Sequence, residues 1–590
     1  MPPEEREQTI WGALLFFVKA WAFRARRSLA DRGPRKPLQG VAEPVTANAR
    51  IVAESRSPLY ASLQPDELLL QAGKVQNLRL AAACLNGRIL PAGQVFSFWA
   101  HVPRPTRRRG FAAGRELREG CVIPSTGGGL CQLSNALYDA ALNAGCDIVE
   151  RHGHSRILPG SMAEAGRDAT IFWNYVDLRF RPPVRSQLEV LVTRSELVVR
   201  LRALQAVSAP LSVRPAEPQT KSLARSSVET CETCGVTNCF RHIDRKDSPA
   251  EGGAAWLVDE YWPELGRYLE ERRRPGDWLF LPFAGRRVGV ARYPWVTAGF
   301  AEVRQAFWET LVRSAGSRRL AAQGAARQEA LLRFDEKLAR RYARAIPVSA
   351  THLVISQNLL PFLWRSGVLG GRTFDVLMTR LPLAALQAAL DRAHARWPES
   401  PTIADFRADP VLVADEGAAL AEARQWVTPH ATIARLAGPR AVRLDWELPP
   451  APVGARERGA KLLFPAATLC RKGAYEVRAA ARRLGLAVAL GGRVLEDERF
   501  WDGVDVSSQA SLDGACAAVL PAWVEHRPRR LLQALAAGLP VLATHACGLD
   551  GLPGVISLAE GDTDALENSL AAVLALSSPA ARANPPGRAL

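Results

Sequence analysis

Ten cysteines in a chain of 590 residues are too few and too scattered for a disulfide framework. Seven stand singly in apolar or mixed surroundings and three crowd into residues 231–239, a pattern that fits a reducing compartment. Long hydrophobic runs are missing too. The N-terminal run IWGALLFFV (10–18) is too short to span a bilayer, and the acidic EERE before it carries the wrong charge for a secretory signal. Read as a helix with a basic end (Lys19, then RARR at 24–27), it is expected either to dock on the rest of the protein or to lie on an anionic membrane surface. No internal repeat and no low-complexity tract is visible. No basic stretch interleaved with aromatics lies beside the cysteine cluster, which places nucleic acid last among candidate partners.

What the chain does hold is positive charge. The formal net charge is +17, and arginine supplies most of the excess. Such a balance suits anionic lipid surfaces and phosphorylated or nucleotide-activated substrates; an Arg- and Ala-rich proteome produces the same excess without any partner. Hydrophobic content of 48% and charged content of 23% are ordinary for soluble globular protein. The length suits about three or four domains.

Pro- and Gly-punctuated stretches divide the chain. We read an N-terminal amphipathic segment and linker (1–44), a mixed α+β domain (45–205) and a Cys-rich linker (206–250). Two α/β domains (251–440 and 441–575) and a tail (576–590) follow. The alternating runs QLEVLVTR and ELVVRLRA predict a hairpin. In the second half, WLFLPF, THLVISQ and VLVAD, then KLLFPA, LAVALGG, CAAVLPA, PVLAT and GVISL, alternate with helical patterns. That alternation predicts two parallel sheets flanked by helices, an α/β multidomain fold.

The stretch GGGLCQLSNALY (127–138) sets a thiol directly behind three glycines, where a helix begins. Glycines permit unusual backbone conformations and close approach. A first helical turn has unpaired N–H groups and a partial positive charge, which favours thiolate. With 130–144 helical and ended by Gly145, residues Leu130, Leu133, Leu137, Ala140, Ala141 and Ala144 form one apolar stripe. Cys131, Ser134, Asn135 and Tyr138 fall on a polar flank, where a purely packing cysteine is not expected. Downstream, DIVERHGHSR (147–156) predicts a strand on which His152 and His154 share a face, and RDATIFWNYVDLRF (167–180) starts with Asp168 and continues as a β-rich run. The order Cys, His, Asp is what a thiol nucleophile needs: an imidazole to share its proton and a carboxylate to fix the tautomer. Candidate catalytic residues are therefore Cys131, His154 and Asp168.

These residues also carry a resemblance. KVQNLRLAAACLNGRILPAGQVFSFW (74–99), GGGLCQLSNALYDAAL, IVERHGHS and GRDATIFWNYVDLRF together resemble the VanW-like family of bacterial proteins over about 45–185. The resemblance implies a cell-envelope context and no settled reaction. The family's HS motif falls on His154 and Ser155, which favours His154 over His152 as base. The layout is also similar to papain and transglutaminase arrangements, an analogy of order alone.

CETCGVTNCFRH gives Cys231, Cys234, Cys239 and His242 in a C-x2-C-x4-C-x2-H spacing. Three thiolates and an imidazole suit tetrahedral zinc, ahead of an iron–sulfur cluster.

In the C-terminal part, Arg471 and Lys472 stand where a strand gives way to a helix, suited to a diphosphate. Glu525 lies at a second such loop, suited to a sugar hydroxyl or ribose. RKGAYEVRAAARRLGLAVALGG (471–492) and AAVLPAWVEHRPRRLLQALAAGLPVLAT (517–544) resemble the donor half of retaining glycosyltransferases of the GT-B fold, two facing Rossmann-like domains. The resemblance places the phosphate motif on Lys472 and Gly473 and the paired acidic positions on Glu525 and Gln533. The chain departs from the family at Gln533, where glutamate is usual, and at Ala467, where arginine is usual. It implies a nucleotide-sugar donor and a glycan or lipid-linked acceptor. The loop GVLGGRTFD (367–375) is read as a turn, and His430 as either structural or functional.

Three functions follow. The first is a cell-envelope glycosyltransferase with a fused thiol domain, cytoplasmic or peripheral at the inner face of the membrane. The second is a thiol amidase or acyltransferase, and the third a non-catalytic glycan-binding scaffold.

Overall fold

A computed structural model describes residues 10–31, 41–46, 48–60, 65–118, 121–154, 162, 165–205, 229–230, 253–285, 292–318, 320, 324–404, 407–451, 459–508 and 512–577. The chain divides into two compact units. The first holds 1–252 with 347–351 and 366–372, and the second holds the remainder.

In the first unit the strands are β1 (Arg50–Pro58), β2 (Ile89–Leu90), β3 (Phe96–Ser97), β4 (Ala113–Arg118), β5 (Cys121–Thr126), β6 (Asp147–Glu150), β7 (Arg179–Arg181), β8 (Ser186–Val192), β9 (Glu196–Ala203) and β10 (Glu229–Thr230). They make three small sheets, ordered β1-β9-β8-β2, β10-β5-β4 and β3-β7-β6. The two alternating runs pair as the antiparallel β8–β9, with Val190 opposite Val199. Helices Pro65–Leu85 and Leu130–Asn143 fill the interior. Leu78, Leu133, Leu137, Tyr138, Phe180, Leu188 and Val199 form one core. All six residues of the predicted stripe are buried, and Gly145 follows the helix with φ 66°.

The polar flank departs from expectation. Ser134 and Tyr138 are fully buried, because the chain around Asp168–Ala169 packs across that side of the helix. β6 also ends at Glu150, before the histidines, so His152 and His154 lie in the segment beyond the strand. Of the run after Asp168 only Arg179–Arg181 is ladder strand.

The second unit holds two parallel sheets. The first joins β11 (Ala254–Leu257), β12 (Trp278–Leu281), β13 (Glu302–Gln305), β14 (His352–Ser356), β15 (Thr373–Leu377), β16 (Gln425–Thr428) and β17 (Ala441–Arg443), in the order β13-β12-β11-β14-β15-β16-β17. The second joins β18 (Lys461–Phe464), β19 (Val488–Leu490), β20 (Val506–Ser507), β21 (Ala515–Leu520), β22 (Val541–Thr544) and β23 (Val555–Leu558), in the order β20-β19-β18-β21-β22-β23. In both, the chain runs outward from the first strand and then restarts on that strand's other side. This is the doubly wound, Rossmann-like order, with a crevice at the reversal point.

One strand assignment is corrected. VLVAD lies in the helix Pro410–Glu422, because Asp409 accepts from Val411 N and Pro410 opens the first turn. The sheet takes TFDVL as β15 instead.

Candidate functional site

The glycine loop before Cys131 is built by close backbone approach. Gly129 caps the helix at φ 91°, and a Cβ there would stand 2.1 Å from the Cγ of Lys74. A Cβ on Gly128 would stand 2.4 Å from the Gly114 carbonyl oxygen. Asn77, buried on the helix Pro65–Leu85, secures the loop from below. Its Nδ2 donates to Gly128 O (2.9 Å) and Ala112 O (3.0 Å), and its Oδ1 accepts from Ala112 N (2.8 Å). A larger residue at 128 would push the loop off β4, and one at 129 would push it off the helix Pro65–Leu85. The glycines are therefore required for packing as well as for access.

The helix flank then gathers the other partners. Ser134 Oγ donates to Ala169 O (2.5 Å) and Asn135 Oδ1 accepts from Ala169 N (2.8 Å), which fixes the residue next to Asp168 against the helix. The Asp168 carboxylate is fully buried. Its Oδ2 accepts from the His154 backbone N–H (2.7 Å) and meets His154 Nδ1 at 2.8 Å. Its Oδ1 accepts from Arg151 (2.6 Å), whose Nε donates to Asp168 O (2.7 Å) and whose guanidinium lies over the Tyr138 ring. Cys131 lies near enough to the same imidazole to raise its pKa, and its thiol makes a long contact of 3.9 Å with Ile171 O. With Nδ1 turned to Asp168, Nε2 is the atom left for sulfur.

Burial alone would lower the pKa of His154. The hydrogen bonds and charges of Asp168 and Cys131 outweigh it and raise the ring to about 9. Burial likewise pushes the Asp168 carboxyl up, and His154 with Arg151 outweighs it to leave the carboxyl below its ordinary range. His154 is 22% exposed and Cys131 is half-buried, so the pair is reachable from solvent. His152 is instead half-exposed and pairs with Glu150 Oε1 at 3.2 Å, away from the thiol chemistry. Arg151 and Asn77 escaped the sequence reading. Only Arg151 left a signal, as a cation beside the histidine pair.

The second set of residues gathers at the reversal point of the second parallel sheet. A short turn, Cys470–Lys472, ends at Gly473 (φ 79°), where a Cβ would stand 2.2 Å from the Pro521 carbonyl oxygen. Arg471 O accepts from Trp523 N (3.0 Å) and Val524 N (3.1 Å), tying the two strand ends together. Lys472 Nζ donates to Glu525 Oε2 (2.9 Å) and Val524 O (3.0 Å). Burial pushes the Glu525 carboxyl up, but the Lys472 charge and the Arg527 N–H lower it to about 2.

Beside this pair opens a cavity of about 860 Å³, lined among others by Ala467, Lys472, Arg493, Glu525, Arg529 and Arg530. Arg527 lines it as well. Two of its arginines also reach the first parallel sheet's domain: Arg529 forks onto the buried Glu264 (2.8 and 2.5 Å), and Arg527 meets Glu260 at 2.6 Å. The arrangement is a cationic hollow with one carboxylate at its edge, which suits a diphosphate with a polar group attached.

Arg471 does not line this cavity. Gln533 stands exposed on the helix Arg529–Ala536 and does not line it either. The arginines at 493, 527, 529 and 530 were not singled out from sequence, although the run HRPRR marks three of them. His430 caps the helix Ala431–Ala437, and its Nε2 faces the carbonyls of Glu525 (3.2 Å) and Ala546 (3.1 Å). Burial holds its pKa below the ordinary value, so it is a buried cap and structural link.

Cys231, Cys234, Cys239 and His242 lie outside the described residues. Among the described residues no group of three or more His, Cys, Asp or Glu is placed to hold a metal ion. Among the described residues, too, no helix is long and apolar enough to cross a membrane.

An α+β domain with a Cys–His–Asp constellation thus shares a chain with two Rossmann-like domains that form one compact unit. Residues 73–202 match the family described as VanW like protein, so this stretch is a VanW-like domain. The Vancomycin B-type resistance protein VanW of Enterococcus faecalis is 32% identical over 146 residues, 24% of this chain and 53% of that protein. The chain therefore spans about half the length of that relative. Sucrose-phosphate synthase from Thermosynechococcus elongatus is 15% identical, covering 55% of this chain and 90% of its own, with a TM-score of 0.34. WaaG, a glycosyltransferase involved in lipopolysaccharide biosynthesis, is 15% identical and covers 55% of this chain and 91% of its own, with a TM-score of 0.30.

Proposed function

We propose that the chain is a bacterial cell-envelope enzyme whose C-terminal half moves a sugar from a nucleotide-sugar to a glycan or lipid-linked acceptor. The carrying observation is the cavity at the reversal point of the second parallel sheet, with Lys472, Glu525 and four arginines around it. When the bond from sugar to phosphate breaks, negative charge grows on the departing diphosphate. Lysine and arginine groups held in place beforehand stabilise that charge without reorganising. Glu525, already ionised, is suited to accept from a hydroxyl of the sugar or ribose.

A second reading, a binding module without turnover, is favoured by Ala467 in the cavity wall and by the outward position of Gln533. Calorimetric titration with UDP, GDP and ADP, followed by transfer from the matching labelled sugar nucleotide to envelope lipid extracts, separates the two. Binding that Lys472→Met abolishes, together with transfer, supports the enzyme. Binding of nucleotide or of a glycan without transfer supports the module, and no nucleotide binding refutes the enzyme.

The N-terminal helix Ile10–Ala30 supports a peripheral position at an anionic membrane. Arg24 and Arg27 dock one face through Trp173 O and Glu150, while Leu15, Val18, Trp21, Phe23 and Leu29 remain exposed. The helix holds Lys19 and Arg26 and no acidic residue. Flotation with vesicles containing anionic lipid tests this position, and equal flotation of a variant lacking the helix would refute it.

A further inference from the structure

We propose that Cys131, His154 and Asp168 form a second active site, in which the thiol takes an acyl group from an amide or ester and passes it to water or to an amine. The inference is independent of sugar transfer, since these residues belong to the first compact unit.

Three observations converge on it. Asp168 holds the His154 imidazole by Nδ1 at 2.8 Å, and the Asp168–Ala169 segment is itself pinned to Ser134 and Asn135 on the helix that carries Cys131, close enough for the thiol to influence the ring. Asp168 is held from three further directions, by the His154 amide, by Arg151 and through Ala169 by Asn135. Packing of one lone cysteine explains none of those contacts. Cys131 also stands in the first turn of the helix Leu130–Asn143, where amide N–H groups lack intrahelical acceptors and the dipole favours negative charge. Its own amide is therefore suited to stabilise the oxyanion formed when sulfur adds to a carbonyl.

The step balances within these groups. Because His154 holds its proton below about pH 9, sulfur enters as the thiolate of a thiolate–imidazolium pair: it bonds to the carbonyl carbon, and the imidazolium protonates the departing nitrogen or oxygen as the C–N or C–O bond breaks. A thioester remains on Cys131. Water, giving its proton to His154, then cleaves the C–S bond, and sulfur departs as thiolate, which restores the pair. An amine in place of water gives acyl transfer. Cys131 and His154 are the catalytic residues; Asp168, Arg151 and Asn135 are positioning residues that act through the imidazole.

The test uses the full chain and p-nitrophenyl acetate as acyl donor. Expected is a burst of nitrophenol equal to the protein concentration, with acetyl found on Cys131 by peptide mass spectrometry. Cys84, another half-buried thiol whose pKa burial raises, is the internal control and should stay unmodified. His154→Gln should slow the burst by roughly 100-fold or more. Asp168→Asn should shift its pH profile toward acid, which a merely structural role would not do. Iodoacetamide alkylation of Cys131 supplies a readout that requires no turnover. It should outpace Cys84 in the wild-type chain and fall to that rate in His154→Gln. Acetylation spread evenly over the cysteines, or a burst and alkylation rate unchanged in His154→Gln, overturns the proposal.

Discussion

Asp168→Asn probes the thiol site most directly, because one carboxylate both orients and charges the imidazole. His154 keeps its proton to about pH 9. An imidazole in water has a pKa near 6.5, and that gap corresponds to about 3 kcal/mol favouring the cation. The sign follows from the direction. A raised histidine pKa adds stability that is complete below about pH 6.5 and is lost as pH rises through about 9. Asp168, held below its ordinary range, contributes above about pH 4 and loses that contribution as pH falls. Their joint contribution is therefore greatest between about pH 4 and 6.5.

The amide of the variant keeps the shape but not the charge, and it leaves the Arg151 guanidinium, 9% exposed, without its anion. Breaking a buried pair in this way costs about 3–5 kcal/mol. Histidine labelled with ¹³C at Cε1, with the resonance assigned by its loss in His154→Gln, reads the effect in the intact chain. The wild-type resonance should titrate near pH 9. The variant should titrate about 1–3 pH units lower, and Cys131→Ala by a smaller amount. A wild-type midpoint near 6.5, or an unchanged midpoint in Asp168→Asn, would refute the reasoning.

Gly129→Ala puts a side chain at φ 91° and 2.1 Å from Lys74 Cγ; the backbone alone costs about 1–2 kcal/mol, so Tm should fall and Cys131 alkylation should lose its advantage over Cys84. Lys472→Met removes the cation that holds Glu525 near 2, so its stability deficit against wild type in urea unfolding should shrink as pH drops from about 4.5 toward 2; an equal deficit throughout would count against the pair. Arg27→Ala loses two hydrogen bonds to Glu150 and one to Tyr175 O, and chymotryptic cleavage at Trp21 and Phe23 should accelerate several-fold. His430→Ala removes the cap and two carbonyl contacts and should cost about 1–2 kcal/mol, with His430→Asn recovering part of it.

Most of the parallel-sheet architecture was legible because buried parallel strands are plain apolar runs: KLLF, VAL, ACAAVL, VLAT and VISL all became ladder strands. The same rule also failed in both directions, once by naming a helix a strand and several times by passing over strands of the first parallel sheet. VLVAD has the composition of a strand, yet Asp409 and Pro410 before it start a helix. TFDVL carries an aspartate in mid-run that hides the strand. Asp375 is tolerated there because Arg424 (2.6 Å) and His352 (3.3 Å) reach it from neighbouring strands or their ends. Local capping was readable in the first case; compensation across the sheet was not readable in the second.

The thiol site divides in the same way. Cys131 was legible because a local pattern, three glycines and an apolar stripe that omits the cysteine, surrounds it. His154 was separated from His152 only by resemblance, since both lie beyond the end of β6 and nothing in their spacing tells them apart. The two amide and ring contacts that Asp168 makes with His154 separate them in the fold. The roles of Arg151 and Asn77 were hidden because their partners lie 17 and 35–51 residues away, although Arg151 shows as a cation beside the histidine pair. The polar flank of the helix is the more instructive case. Ser134, Asn135 and Tyr138 read as a polar flank, but Ser134 and Tyr138 are buried, and Ser134 Oγ and Asn135 Oδ1 bind the Ala169 backbone. A polar flank that its own chain closes over Ser134 and Tyr138 leaves the sulfur half-exposed near a charged imidazole. Packing alone would have been served by an apolar residue at 131, as it is at 130 and 133.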